Sequence, residues 1–158
     1  MEVILLDRRG KEIEGQILMA TRNDVKKLKD WNFNWDELFS KKSTIYKLQL
    51  KDQIIGLVKH HWENEEHFNL ANIELSPRNI GSKGQYKNAA DLLFAYSALQ
   101  SFKIYKKGYK GFLAFKSKGK LINHYVKKYK AELVFRDRMI ISPRNCKILI
   151  KENLKIEI

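Results

Sequence analysis

The stretch Ile73–Ser97, IELSPRNIGSKGQYKNAADLLFAYS, changes character twice. It begins as a short strand, crosses a polar loop marked by Pro77, Gly81 and Gly84, and ends in an apolar-periodic helix. A helix starting near Asn88 leaves its first amides without intrahelical acceptors and carries roughly half a positive charge at that end. Lys83 and Lys87 add cationic charge, and Gln85 and Asn88 offer hydrogen-bond donors. Gly84 permits unusual backbone angles, while Ala89 and Ala90 keep bulk away from an approaching ligand. With Tyr86 between them, these eight positions form a candidate phosphate cradle. Any helix start that follows a loop shares part of this pattern, so the loop alone does not name its ligand.

Working toward the N-terminus, Phe68–Leu75, Ile54–Trp62 and a segment from Thr44 read as three successive strands. In the last of these, Thr44, Tyr46, Leu48 and Leu50 fall on one face; Ile45, Lys47, Gln49 and Lys51 fall on the other. The connections, Lys51-Asp52-Gln53 and Glu63–Glu66, are short, which predicts an antiparallel meander. Met1–Leu6 and Gln16–Thr21 read as strands around a polar turn at Asp7–Lys11. Asn23 or Asp24 is expected to cap a helix reaching Lys29, with Trp31, Phe33 and Trp35 in a short aromatic segment behind it.

Toward the C-terminus, Asn88–Phe102 places Ala89, Leu92, Leu93, Tyr96 and Leu99 in one helical stripe. Gly111–Ser117 reads as a strand, and Leu121, Ile122, Tyr125, Val126 and Tyr129 form a second stripe. Leu133–Phe135 and Met139–Ile141 are apolar strands. SPRN, first met at Ser76–Asn79, recurs at Ser142–Asn145. In the second copy Ser142 caps and Pro143 opens a helix over 143–154 with Cys146, Leu149, Ile150 and Leu154 inward. The alternation around Ile148 and Ile150 leaves a strand open as well. The first copy instead follows a strand, so the recurrence reads as coincidence.

The 158 residues are expected to form a single domain spanning 1–158 with a sizeable core, and 44% hydrophobic content with 31% charged residues excludes a disordered chain. No apolar run reaches the roughly 18 residues of a membrane span, so no membrane partner is expected. MEVILLDRRG lacks the basic region and cleavage site of a secretory leader. The single cysteine, Cys146, excludes an intramolecular disulfide, and a cytoplasmic location is the expectation. Lys and Arg number 31 against 18 Asp and Glu, a formal charge of +13, which favours polyanionic partners, nucleic acid among them. Local clusters lie at Lys103–Lys110, Lys116–Lys120 and Lys127–Lys130; many of these lysines are expected to be a solvated face.

The order of elements resembles that of the GNAT N-acetyltransferase superfamily over about Gln16 to Ile141. The resemblance centres on IELSPRNIGSKGQYKNAADLL, where the family has a strand, a Gln/Arg-x-x-Gly-x-Gly/Ala pyrophosphate loop and a helix. Gln85–Ala90 matches its first and last positions; Asn88 stands where the middle glycine is found. A second likeness is LINHYVKKYKAELVF, Leu121–Phe135, similar to a helix carrying a tyrosine and closed by a glycine. Tyr125 matches the tyrosine, and Lys130 stands at the glycine.

The resemblance implies an α+β fold, a mainly antiparallel central sheet flanked by helices. It implies acetyl-CoA as cosubstrate and direct acetyl transfer to an amine acceptor that the sequence does not identify. It also assigns the Ile73 and Leu75 backbone, beside the loop, to cofactor binding. Acetyl transfer needs a neutral amine, a polarised carbonyl and a proton for the departing thiolate. Glu74, sharing a strand face with Asn72, is the candidate base or substrate-orienting group; Tyr125 is the candidate acid. Each has a bland counterpart, a solvent-facing strand residue and a core tyrosine respectively. His60 and His61 point to opposite strand faces, His67 and His124 are isolated, and no metal site is expected. Cys146 is expected to be packed. The competing function is a GNAT-like module that binds nucleic acid or a protein without turnover, with Trp31, Phe33 and Trp35 stacking on bases. The favoured reading of those aromatics is a helical lid packed on the sheet.

Overall fold

The computed structural model of the chain describes residues 1–63, 67–103 and 109–158. Eight strands and four α-helices are described: β1 (Glu2–Leu6), β2 (Glu12–Met19), α1 (Arg22–Lys26), β3 (Ser43–Leu50), β4 (Gln53–Glu63), β5 (His67–Leu75), α2 (Ala89–Ser101), β6 (Leu113–Lys116), α3 (Ile122–Tyr129), β7 (Glu132–Phe135), β8 (Arg138–Ile141) and α4 (Pro143–Leu154). Hydrogen bonding orders the sheet β1-β2-β3-β4-β5-β6-β8-β7. The described β1–β2, β2–β3, β6–β8 and β7–β8 pairs are antiparallel; β5–β6 is parallel. This is the α+β class expected. Residues 64–66 and 104–108 lie outside the described residues, and with them most of the turn expected at Glu63–Glu66 and part of the cluster at Lys103–Lys110.

The chain resolves into two compact units. One comprises Met1–His60 with Asn72–Leu93, the other His61–Ala71 with Phe94–Ile158. In the first unit, α1 is capped by Thr21 rather than Asn23 or Asp24. Thr21 Oγ1 accepts from the Asp24 amide at 3.2 Å, and Asp24 Oδ2 accepts from the Thr21 amide at 2.7 Å. Asp24 thus fills the third position of a capping box, the reciprocal arrangement that satisfies two helix-end donors. Burial opposes ionisation of its carboxyl, but the Thr21 amide and the Lys47 ammonium, 3.0 Å away, outweigh it and hold the pKa below its ordinary value. The helix stops at Lys26, short of Lys29, and no helix forms between Trp31 and Phe39. That segment instead packs irregularly around buried Trp35, in a core of Ala20, Val25, Ile45 and Leu57. Ile45 is therefore buried although it lies on the more polar face of β3, and Leu48 is buried on the other. Both faces of this strand are covered, which a simple alternation does not convey.

α2 is buried continuously from Leu92 to Ala98, apolar around its circumference rather than along one stripe. In the second unit, α3 ends at Lys130, whose φ of 57° is left-handed and whose amide bonds to Tyr125 O. The position at which the resemblance expects glycine keeps a glycine-like conformation with a lysine in it. α4 follows the helical reading of the second SPRN: Ser142 Oγ accepts from the Asn145 amide at 3.4 Å, and Cys146, Leu149 and Ile150 are buried. The first SPRN also opens a helical turn, a 3-10 turn at Pro77–Asn79. The two copies thus share a Ser-Pro helical start, though only Ser142 caps through its side chain. They diverge because Ile80 is extended and the Asn79 side chain turns back, whereas apolar residues with helical spacing carry α4 onward.

Candidate functional site

The loop between β5 and α2 is built around Asn79, which is 1% exposed. Asn79 Nδ2 donates to Ser76 Oγ at 2.6 Å, and its Oδ1 accepts from the Tyr86 amide at 3.2 Å. The Gly84 amide donates to Gly81 O at 3.1 Å, the Gln85 amide to Arg78 O at 3.0 Å and the Lys87 amide to Leu6 O at 2.9 Å. The amides of Gly84, Gln85, Tyr86 and Lys87 are thus spent inside the protein. Those of Asn88, Ala89 and Ala90 open α2, where the helix supplies no acceptor. Ala89 is buried and Ala90 half-buried; Lys83, Gln85 and Lys87 have exposed side chains. Asp91, also in the first turn, is half-buried and engaged.

Gly84 serves a purpose other than backbone freedom. Its φ is not positive, and a Cβ placed on it would lie 2.5 Å from Asn79 O. Only glycine lets the two limbs of the loop close; the left-handed turn is made by Gly81, at φ +72°. Asn88 likewise has a partner. Its Nδ2 donates to Ile4 O at 2.9 Å, and its Oδ1 accepts from the Leu6 amide at 2.8 Å. A residue that local reading missed is Arg8, whose Nη2 donates to Gly81 O at 3.1 Å and whose Nε donates to Gly84 O. It stands in the Asp7–Lys11 turn, far away in sequence, and carries no local signal of this role.

Ile73 and Leu75 are half-buried on β5, while Glu74, on the opposite face, is 8% exposed. The Glu74 carboxylate holds the aromatic segment. Oε2 accepts from the Asn32 amide at 2.5 Å, and Oε1 accepts from the Phe33 amide at 3.0 Å and Trp35 Nε1 at 2.9 Å. Trp35 is buried, Trp31 half-buried and Phe33 exposed, so the three aromatics do not form an open stacking platform. The parallel ladder of β5 with β6 is confined to Asn69↔Ala114 and Leu70↔Phe115, although β5 continues to Leu75.

Tyr125 belongs to the second unit. Its half-buried ring lies 5.2 Å from Phe115 and 5.5 Å from Phe94, and is stacked on Tyr129 at 6.1 Å. Burial pushes its phenol above the ordinary tyrosine value, so it carries its proton at neutral pH. Cys146 is buried, and its thiol is pushed up to about 12 by that burial, which leaves it inert as a nucleophile. On β4, His60 is buried beside Tyr46, with its pKa driven down to about 3 by desolvation. Among the described residues no group of His, Cys, Asp and Glu is arranged to hold a metal, and no helix is long and apolar enough to cross a membrane.

No family model matches the sequence, and no curated protein matches it. Solved structures do. The KacTA–DNA complex is similar at a TM-score of 0.64 and 9% identity, over 87% of this chain and 99% of that one. The AtaT toxin, a tyrosine-to-phenylalanine mutant bound to the C-terminus of the antitoxin AtaR, gives 0.61 and 9% over 87% and 98%. A GNAT family acetyltransferase from Elizabethkingia anophelis with acetyl-CoA bound gives 0.50 and 14% over 80% and 94%. With the strand order and the strand–loop–helix described above, these likenesses give the chain the fold of the GNAT acetyltransferases.

Proposed function

We propose that the protein is an acetyl-CoA-dependent N-acetyltransferase. The observation that carries this reading is the run of β5 beyond its last pairing with β6, followed by the loop and the opening turn of α2. The Asn88, Ala89 and Ala90 amides fit a pyrophosphate, with Lys83 and Lys87 as flanking cations; the loop amides from Gly84 to Lys87 hold the cradle's shape. The β5 backbone around Ile73 and Leu75, beyond the ladder with β6, is suited to bind the pantetheine arm. Acetyl-CoA supplies an acetyl group activated as a thioester. Tyr125 holds a proton at Oη, available to a departing thiolate. Glu74 acts by orientation: its three N–H donors fix residues 32–35, and through them one wall next to β5.

The acceptor is an amine carried on an anionic molecule, since a charge of +13 repels free polyamines and basic peptides at long range. The AtaT toxin's capture by its antitoxin's C-terminus supports a protein partner for this chain too. Calorimetric titration with acetyl-CoA and desulfo-CoA tests the reading. The wild type is expected to bind both, and Ala90→Glu is expected to weaken binding by placing bulk and negative charge where the pyrophosphate sits. No heat at millimolar acetyl-CoA would sink it.

A further inference from the structure

A cavity of about 630 Å³ opens in the second unit, and every residue lining it belongs to that unit. Phe68, Leu70, Phe112, Ala114, Met139 and Ile140 make most of its wall apolar. Its volume falls within the roughly 300–1,000 Å³ of small-molecule sites, which are apolar hollows with a few polar groups gathered to fix orientation.

Two of the polar groups here are cationic. Lys116 and Arg138 line the cavity and lie directly opposite one another in the β6–β8 register. Like charges facing across an antiparallel ladder are destabilising. Both side chains are exposed, and neither has an ion-pair partner among the described residues. No carboxylate lines the cavity among the described residues, while His61 and Asn69 add hydrogen-bonding capacity. An anion between Lys116 and Arg138 would turn their repulsion into two charge-assisted contacts. A second copy of this strongly basic chain would instead bring further positive charge to the same place.

We propose that this cavity binds a small amphipathic anion, its apolar body against Phe112, Ala114 and Ile140 and its carboxylate or phosphate between Lys116 and Arg138. The site does not depend on acetyl transfer and stands whether or not acetyl-CoA binds.

The test uses the full chain and two fluorescent probes of similar body: anionic 1-anilinonaphthalene-8-sulfonate and neutral N-phenyl-1-naphthylamine. The anion is expected to bind saturably. Lys116→Glu pairs with Arg138 and removes the anion's place, so it should weaken that probe about tenfold, the loss of one charge-assisted contact. The same change should spare the neutral probe and leave the melting temperature equal or higher. Ala114→Phe, which fills the hollow, should weaken both probes. Octanoate and 1-naphthyl phosphate then compete with the bound anion, and whichever displaces it identifies the preferred body and acid group. The proposal is overturned if either substitution leaves anion binding unchanged, or if neither competitor displaces the probe. Lys116→Glu alters an exposed side chain, so that arm remains decisive even if Ala114→Phe does not fold.

Discussion

Replacing Glu74 by glutamine keeps the shape and removes one acceptor. The Phe33 amide and Trp35 Nε1 both bond Oε1, so glutamine oriented with its oxygen there retains them as neutral bonds. Its NH2 group then faces the Asn32 amide, a donor against a donor. An unpaired buried donor costs about 1–3 kcal/mol, and two charge-assisted bonds reduced to neutral ones add about 1 kcal/mol together. The sum, about 2–4 kcal/mol, corresponds to a fall of roughly 5–12 °C in Tm for a chain of this length. Thermal denaturation followed by circular dichroism, with tryptophan fluorescence reporting on Trp35, measures it. If Glu74→Gln melts within about 1 °C of the wild type while acetyl transfer collapses, the carboxylate is a base and not a clamp, and the reasoning fails.

Tyr125→Phe should lower turnover about 100-fold or more while leaving acetyl-CoA affinity nearly intact, because the proton is needed only as the thiolate departs; a wild-type rate would make the tyrosine purely a packing residue. His60, with its pKa depressed to about 3 from 6.5, stays neutral in the fold while the unfolded chain protonates. Its contribution is therefore present above pH 6.5 and lost as pH falls toward 3, on the order of 4 kcal/mol over that window. Urea midpoints measured from pH 7 to pH 4.5 should fall more steeply for the wild type than for His60→Phe, and parallel curves would contradict this. Lys130→Gly should raise the melting temperature, since relief of about 1–2 kcal/mol of left-handed strain exceeds the entropic cost of a new glycine; calorimetry showing a lower value would refute it.

Much of the order of strands and helices was readable because it rests on local periodicity, as Thr44–Leu50 and Leu121–Tyr129 illustrate. The Ser142-Pro143 helix start was readable for the same reason: cap and first turn are neighbours in sequence. What escaped depends on partners far apart in the chain. Glu74 stands out as a candidate catalytic residue, but its three N–H partners appear only when the chain folds its 32–35 segment onto it. Arg8 reaches the loop carbonyls from a turn that looks like any polar turn. Gly84 reads as a place of backbone freedom when it is a gap cut for the Asn79 backbone. The cavity was invisible for a related reason, since its cations meet only through the pairing of β6 with β8.

The bonds made by Asn88 bear on how this protein survives at high concentration. β1 ends the strand order, and an end strand offers its backbone to any other chain that arrives extended. Here that backbone is already taken: Asn88 occupies Ile4 O and the Leu6 amide, the Lys87 amide occupies Leu6 O, and Tyr86 bridges Asp7. The loop thus covers part of an edge that another extended chain could join. A glycine at position 88 would free Ile4 O and the Leu6 amide, while the Lys87 and Tyr86 backbone contacts would stay. The Asn88 side chain thus closes part of an end strand to other chains.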